Sequence, residues 1–176
     1  MNPPEPFFRL GDHFAVDLLG ARVVFTTRRG GHSEGPYASL NLGRLTDDDP
    51  RSVALNRERL QNQVRAPLSF VRQVHGPRVC ETTAASARQA RPEELRRADG
   101  QVTRVRGIVL AALTADCLPI AVAGDGAVAM LHAGWRGLAD GIIAAGVRAL
   151  RRSGAGGPVA AAIGPGAGPC CYEVGA

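Results

Sequence analysis

The stretch from residue 107 to residue 164 constrains the fold most strongly, because it contains four short apolar runs. None of the runs alternates polar with apolar residues, and they are GIVLAAL (107–113), LPIAVAG (118–124), AVAML (127–131) and PVAAAIG (158–164). Continuous apolar runs of this length are typical of β-strands covered on both faces. The second half of the chain is therefore predicted to supply the centre of a β-sheet.

A segment with the spacing of an amphipathic helix, GLADGIIAAGVRAL, lies between the third and fourth runs. Its apolar side repeats every four residues, and arginines occupy the remainder of the cylinder; the repeating positions are Leu138, Ile142, Gly146 and Leu150. A strand, a helix and a strand in this order predict a right-handed crossover between parallel strands. We therefore predict an α/β fold, a single domain over residues 1–176 with a mixed β-sheet flanked by helices.

The first half of the chain is predicted to contain a strand, a long loop and a helix. Residues 21–27 have the composition of a strand, and the polar, glycine-rich segment 28–43 is predicted as a loop that could cover a site. Asp49 followed by Pro50 predicts the start of a helix over residues 51–64.

Two further segments connect this half to the apolar runs. Residues 69–74 (SFVRQV) are predicted as a short strand that ends at His75. Residues 84–98 are rich in alanine, arginine and glutamate without clear periodicity, and they predict a loop or a frayed helix.

The basic residues limit which partners and chemistries the chain can use. The net charge is +5, yet all 21 basic residues are scattered arginines and only eight aromatic residues could stack on bases. This pattern argues against a nucleic-acid partner. The absence of lysine excludes Schiff-base chemistry and the phosphate-binding P-loop. An anion would have to be bound by arginine, backbone N–H groups or a metal ion.

The cysteines and the N-terminus predict a cytoplasmic protein without a membrane partner. The chain has four cysteines, of which Cys170 and Cys171 are adjacent and poorly placed to form a disulfide framework. Cys80 is predicted to lie in the core. The N-terminus lacks the features of a signal peptide, and no apolar run is long enough to span a membrane.

Three residues with metal-binding side chains stand where predicted strands end. His75 follows the run at 69–74, Cys117 follows the run at 107–113, and His132 follows the run at 127–131. Two imidazoles and one thiolate suit zinc, and three protein ligands leave a fourth position for water or substrate. The wide separations match no local zinc motif, so the alternative of a buried core cysteine and two hydrogen-bonded loop histidines remains open.

Two neighbours of these residues could contribute to chemistry. Arg136 stands at the predicted start of a helix, where free N–H groups favour an anion; it could equally be a solvated residue. Asp116 precedes Cys117 and could act as a general acid or base, orient a ligand, or only cap a turn.

Several segments together resemble one known family. They are TTRRGGHSEGPYASLNLG, NRERL, RQVHG, ADG, TADCLPI, LHAGWRG and IGPGAGPCCYEVG, in this order from Thr26 to Gly175. The chain is similar to the multicopper polyphenol oxidase (laccase-domain) family, also called the purine nucleoside phosphorylase YfiH family. The resemblance implies that His75, Cys117 and His132 bind a zinc ion.

The resemblance also implies an activity, and we predict site residues for it. It implies phosphorolysis of adenosine, inosine and S-methyl-5'-thioadenosine, together with deamination of adenosine. The catalytic residues are then Asp116, Cys117 and His132. The expected ligands are purine nucleosides and phosphate, and the predicted substrate-binding residues are Arg28, Asn41, Arg44, Gln73 and Arg136.

Three other functions remain as alternatives. A copper-dependent polyphenol oxidase could use the same three ligands with Met130, which shares a strand face with His132. A laccase with several copper ions fits poorly, because the chain has four histidines, of which His13 and His32 are predicted to lie in loops. A cysteine hydrolase could use Cys117 or Cys171, and a cell-wall (peptidoglycan) editing factor would have no nucleoside turnover.

The chain departs from the family pattern at a few positions. Leu45, Asp47 and Ala167 stand where histidine, glycine and isoleucine are usual in relatives. Relatives also continue beyond CYEVG, so we expect that the C-terminal part of the domain is missing. An apolar patch near residues 159–174 is then expected to be exposed and to permit self-association.

Overall fold

The computed structural model describes residues 3–88 and 92–172, and it confirms an α/β fold with a mixed sheet and helices. Within these residues, an antiparallel sheet contains β1 (Phe8–Leu10), β2 (His13–Leu18) and β3 (Ala21–Phe25). A parallel pair joins β4 (Leu68–Ser69) to β7 (Val109–Leu110). The central sheet is built from β5 (Val79–Glu81), β6 (Gly100–Thr103), β8 (Leu118–Gly124), β9 (Ala127–Ala133) and β10 (Ala160–Ile163), in the order β10-β8-β9-β6-β5.

The centre of this sheet agrees with the sequence prediction. β8 is antiparallel to both β9 and β10, so β9 and β10 run parallel with β8 between them. Helix α3 (Ile142–Arg152) connects β9 to β10 and packs on the sheet. Leu131, Ile142 and Leu150 are fully buried where the helix meets β9. The predicted connection of two parallel strands through a helix is therefore confirmed.

The continuous helix predicted over residues 137–150 is wrong. Helix α2 (Trp135–Ala139) ends one turn after it begins, and α3 starts only at Ile142. Gly141 between them has a φ of +85°, a left-handed conformation that interrupts an α-helix. Leu138 consequently does not continue the buried stripe and is 38% exposed.

The strands predicted at 69–74 and 107–113 are much shorter than expected. Only β4 and β7 have strand geometry there, followed by one isolated bridge between Arg72 and Arg97. The backbone after Arg72 instead turns around the buried carboxylate of Asp99. His13 was predicted in a loop but lies in β2, buried, whereas His32 is in an exposed loop.

The edge strand β10 is not covered on both faces. Ile163 is 57% exposed and Val159 is 38% exposed, while Ala162 packs against Val16 and Phe25 of the small sheet. The predicted patch extends to residues outside those described, since residues 173–176 are not among them.

The predicted segment 84–98 has short 3₁₀ helices at Ser86–Arg88 and Pro92–Glu94, and its residues 89–91 are also outside the described ranges. In the described part of the chain, no helix is both long and apolar enough to cross a membrane.

Helix α1 (Pro50–Val64) begins as predicted and fastens the long loop. The Asp49 carboxylate accepts hydrogen bonds from the backbone N–H groups of Arg51 and Ser52. Asn56 is fully buried; its side-chain oxygen accepts one hydrogen bond from the loop, and its two N–H groups share three loop acceptors. Its partners are the N–H of His32, the hydroxyl of Ser33, and the carbonyls of Ser39 and Asn41. The loop 28–43 is therefore attached to the helix rather than free.

We expect Asn56→Ala to destabilise the protein by about 2–3 kcal/mol, because it leaves several partly buried loop groups without a partner. Urea unfolding measures this change. Asn62→Ala is the matched control, since Asn62 is exposed on the same helix, and its effect should stay within about 0.5 kcal/mol. Equal effects of the two substitutions would contradict the attachment.

Candidate metal centre

The antiparallel pairing of β8 and β9 brings two of the predicted metal ligands together. Leu118 pairs with Ala133, so Cys117, directly before β8, lies beside the end of β9, where His132 is located. His75 approaches from the segment after β4. The ligand atoms of these three side chains all lie within 4.8 Å of one another. The structure thus assembles the predicted trio from three separate parts of the chain.

The three side chains differ in exposure, which gives the centre one open side. His132 is buried, Cys117 is half-buried and His75 is exposed. The His75 and His132 rings meet edge to face, with centroids 4.8 Å apart. Two imidazoles and one thiol are donors that bind zinc or copper, and three such ligands leave a position for another group. The residues present therefore fit a metal ion.

His132 is oriented by a carboxylate that the sequence analysis did not identify as a site residue. Its Nδ1 lies 2.8 Å from Asp99 Oδ1, and both side chains are almost completely buried. Burial lowers the pKa of His132 below its ordinary value, although the Asp99 contact opposes this shift. A neutral imidazole that donates from Nδ1 to a carboxylate keeps its Nε2 lone pair available as a ligand.

Asp99 also holds the backbone that carries His75. Its two carboxylate oxygens accept hydrogen bonds from the N–H groups of Val74, His75 and Gly76, at 2.8–3.1 Å. His75 has a φ of +61°, and successive N–H groups around such a residue form a concave anion-binding turn. Burial alone would raise the pKa of Asp99, but these hydrogen bonds and the His132 contact hold it below the ordinary value. One buried carboxylate therefore positions two of the three ligands.

The sequence contained one indication of this role. Asp99 belongs to ADG, one of the segments on which the family resemblance depends, and it directly precedes β6. Its contacts are mostly with backbone N–H groups, and no residue pattern reports such contacts. Gly134 and Tyr172 also border the centre and were not predicted as site residues.

Gly134 leaves the space in which the ligands meet. A Cβ atom at this position would lie 2.9 Å from His75 Cδ2 and 3.0 Å from Cys117 Sγ. Its backbone is extended, with φ of −75° and ψ of 163°, so alanine is allowed conformationally and only the contacts forbid it.

We expect Gly134→Ala to weaken metal binding by at least about tenfold, because the new methyl group displaces His75 or Cys117 from the common point. Titration with zinc and a competing chelator measures the affinity. Gly76→Ala is the control, since a Cβ there meets no atom within 4 Å. Unchanged zinc affinity in Gly134→Ala would show that the two side chains do not converge on the ion.

Tyr172 contacts the thiol from the C-terminal side. Its hydroxyl lies 3.9 Å from Cys117 Sγ. Loss of hydration and the Cys117 contact raise the pKa of Tyr172, and the charge of Asp116 contributes to the same shift. Asp116 is exposed, and its carbonyl accepts a hydrogen bond from the N–H of Ala167. The segment that leads to Tyr172 is thus attached to the residue next to the thiol.

The predicted substrate-binding residues of the long loop have contacts within that loop and its continuation. Arg28 donates from Nε to the carbonyl of Ala38 at 2.6 Å. Asn41 donates to Thr46 and Asp48. Both residues support the shape of the loop, and their contact with a substrate stays a prediction. Arg44 is exposed on the same segment.

The other two predicted substrate-binding residues are neighbours of ligands in sequence. The side-chain amide of Gln73 exchanges hydrogen bonds of 2.7 and 2.8 Å with the backbone of Leu113, which joins the His75 segment to the strand β7 region. The Arg136 guanidinium lies 4.5 Å from the Trp135 ring centroid, and both residues are exposed. Gln73 therefore has a structural contact, whereas Arg136 presents a charge on the surface.

Comparisons with known proteins agree with the fold. A family model described as multi-copper polyphenol oxidoreductase laccase matches residues 22–176. The crystal structure of YfiH from Bacillus licheniformis has a TM-score of 0.84 at 31% identity, over 96% of this chain and 68% of that one. The structure of YlmD from Geobacillus stearothermophilus has a TM-score of 0.79 at 32% identity, over 98% and 66%.

Curated relatives are named as enzymes. A purine nucleoside phosphorylase of Pseudomonas aeruginosa is 41% identical over 156 residues, which are 88% of this chain and 60% of the relative. A purine nucleoside phosphorylase of Xylella fastidiosa is 45% identical over 166 residues, which are 89% and 62%. The chain thus spans about three fifths of the length of these relatives.

Proposed function

The chain belongs to the multi-copper polyphenol oxidoreductase laccase family, and we propose that it is a metal-dependent purine nucleoside phosphorylase. The convergence of His75, Cys117 and His132 beside an open face is the observation that carries this proposal. The names of the similar curated proteins supply the reaction class. The proposed substrates are adenosine, inosine or S-methyl-5'-thioadenosine, with phosphate.

We propose zinc as the ion, held by the two imidazoles and the thiolate. A bound zinc ion would supply positive charge to neutralise phosphate and to acidify water, and the second effect would also serve adenosine deamination. The buried Asp99 carboxylate keeps His132 in the tautomer that a metal ligand needs. The exposed side, where His75 lies, is where a nucleoside could approach.

Phosphorolysis breaks the bond between the ribose C1' and the purine nitrogen, forms a bond from C1' to a phosphate oxygen, and leaves the base to take up a proton. Asp116 and Tyr172 are the groups beside Cys117 that can hold or pass a proton, and Asp116 is the proposed acid–base residue. Arg136 is the exposed cation next to the centre in the chain and the proposed partner of phosphate.

A copper oxidase is the second candidate, favoured by the description of the family model. Met130 lies on β9 two residues before His132 and is half-buried, so it shares a strand face with that ligand. The three clustered residues are the one group of three or more metal-binding side chains found among the described residues. A mechanism with several copper ions therefore has less support than a single-ion enzyme.

In the deciding experiment, the metal content of the purified protein is measured first. The protein is then incubated with adenosine or inosine, with and without phosphate. We expect zinc, release of adenine or hypoxanthine that requires phosphate, and formation of ribose 1-phosphate. Inosine formed from adenosine without phosphate would report deamination separately. Absence of base release from zinc-loaded protein would overturn the proposal. Oxidation of a polyphenol with oxygen by copper-loaded protein alone would favour the second candidate.

A further inference from the structure

Two adjacent cysteines form a second group of sulfur ligands outside the metal centre. Cys170 and Cys171 are both exposed, and their Sγ atoms lie 3.3 Å apart. The sulfurs are much farther apart than the roughly 2.05 Å of a disulfide, so both are free thiols. A turn in which the N–H of Cys171 donates to the carbonyl of Gly168 holds this part of the backbone.

The separation of the sulfurs indicates which kind of ion they could share. For two sulfurs at about 2.3 Å from one ion, tetrahedral coordination sets them about 3.8 Å apart. The observed 3.3 Å corresponds to an angle of about 92° at the same bond length. A pyramidal trivalent ion with a lone pair, such as arsenic(III), binds sulfurs at an angle near this value, and the pair alone supplies only two of the four ligands that zinc takes.

The pair is distinct from the candidate metal centre. The three ligands of that centre are His75, Cys117 and His132, and neither Cys170 nor Cys171 belongs to the group. The two sites are nevertheless linked along the chain, because Cys171 is followed by Tyr172, whose hydroxyl contacts Cys117. The protein thus has two sulfur-containing sites with different donor sets.

We propose that Cys170 and Cys171 form a dithiol site that binds trivalent arsenicals and chemically similar soft metalloids. With an arsine oxide, R–As=O, two As–S bonds form while both bonds between arsenic and oxygen break. The two thiol protons leave with the oxygen as one molecule of water, and arsenic stays trivalent. The contact with Cys170 raises the pKa of Cys171, so the thiol carries the proton that this exchange removes. Exposure of both sulfurs allows the reagent to approach.

The test uses the whole chain, reduced with a phosphine, and phenylarsine oxide as the probe. Intact-protein mass spectrometry should show one adduct, and the number of thiols titrated in denaturant should fall from four to two. The adduct should survive excess glutathione, a monothiol, and be removed by dithiothreitol, because only a second dithiol competes with a two-sulfur chelate. Zinc preloaded at the three-ligand centre should not prevent it.

Variants assign the adduct to the pair. Cys170→Ser and Cys171→Ser should each lose the glutathione-resistant adduct, whereas Cys117→Ser and Cys80→Ser should retain it. Circular dichroism checks that each variant is folded. A resistant adduct that persists in Cys170→Ser, or that disappears in Cys117→Ser, would overturn the proposal. So would a fall in zinc stoichiometry from two ions to one in Cys170→Ser, since the pair would then be a zinc site. These measurements do not depend on nucleoside turnover.

Discussion

Replacement of Cys117 by serine is expected to weaken metal binding by at least about 100-fold and to abolish nucleoside turnover. The thiolate is the charged member of the three ligands, and zinc binds a thiolate far better than an alcohol. The two imidazoles that remain would bind zinc more weakly than the complete set of three ligands. Under the proposed function turnover depends on the ion, so phosphorolysis activity should fall in proportion to metal content.

The measurement combines zinc stoichiometry, zinc affinity from chelator competition, and phosphorolysis rate. Cys170→Ser is the matched control, because that cysteine is exposed and outside the three-ligand group. We expect one zinc ion and normal turnover in the control. The metal-free Cys117→Ser protein should unfold at the same urea concentration as metal-free wild type, since Cys117 is only half-buried. Full zinc content in Cys117→Ser would show that this thiol is not a ligand.

The sequence was sufficient to predict the part of the fold that carries this thiol. The apolar runs at 118–124 and 127–131 correspond to β8 and β9, and their antiparallel register brings Cys117 to His132. Apolar runs of this kind are informative because both faces of a central strand must be buried. All three candidate ligands stand at the ends of predicted strands, and the resemblance implied that they share one zinc ion although they are far apart in the chain.

The elements that could not be predicted depend on backbone conformation and on distant partners. Gly141, in its left-handed conformation, divides the helix that the apolar spacing predicted to be continuous. The strand expected up to His75 does not reach it, because the N–H groups of residues 74–76 bind the Asp99 carboxylate instead of a neighbouring strand. A pattern of apolar residues contains no information about such a contact, since the carboxylate is contributed by a residue on the other side of a long loop.

Substitution of Asp99 should therefore weaken metal binding even though all three ligands remain present. Asp99→Asn keeps the shape and all three ligands but replaces one acceptor oxygen by an NH₂ donor. That group would face N–H groups or His132 Nδ1 in a site that is almost completely buried. A buried donor without an acceptor costs about 1–3 kcal/mol, and more where a charged partner is lost. We expect a loss of about 3 kcal/mol in the free energy of unfolding.

The same substitution is expected to lower zinc affinity by about 10- to 100-fold, because a ligating histidine depends on its hydrogen-bond acceptor for tautomer and orientation. His75 should be affected as well, since its left-handed backbone costs free energy that the Asp99 hydrogen bonds offset. Asp99→Ala should be worse, because it leaves three backbone N–H groups and His132 Nδ1 without their acceptor.

Asp125→Asn is the control, an exposed aspartate in the turn between β8 and β9. Urea unfolding without metal and chelator competition with zinc measure the two effects separately. If Asp99→Asn loses stability but binds zinc as tightly as wild type, the carboxylate supports only the fold and does not position the ligands.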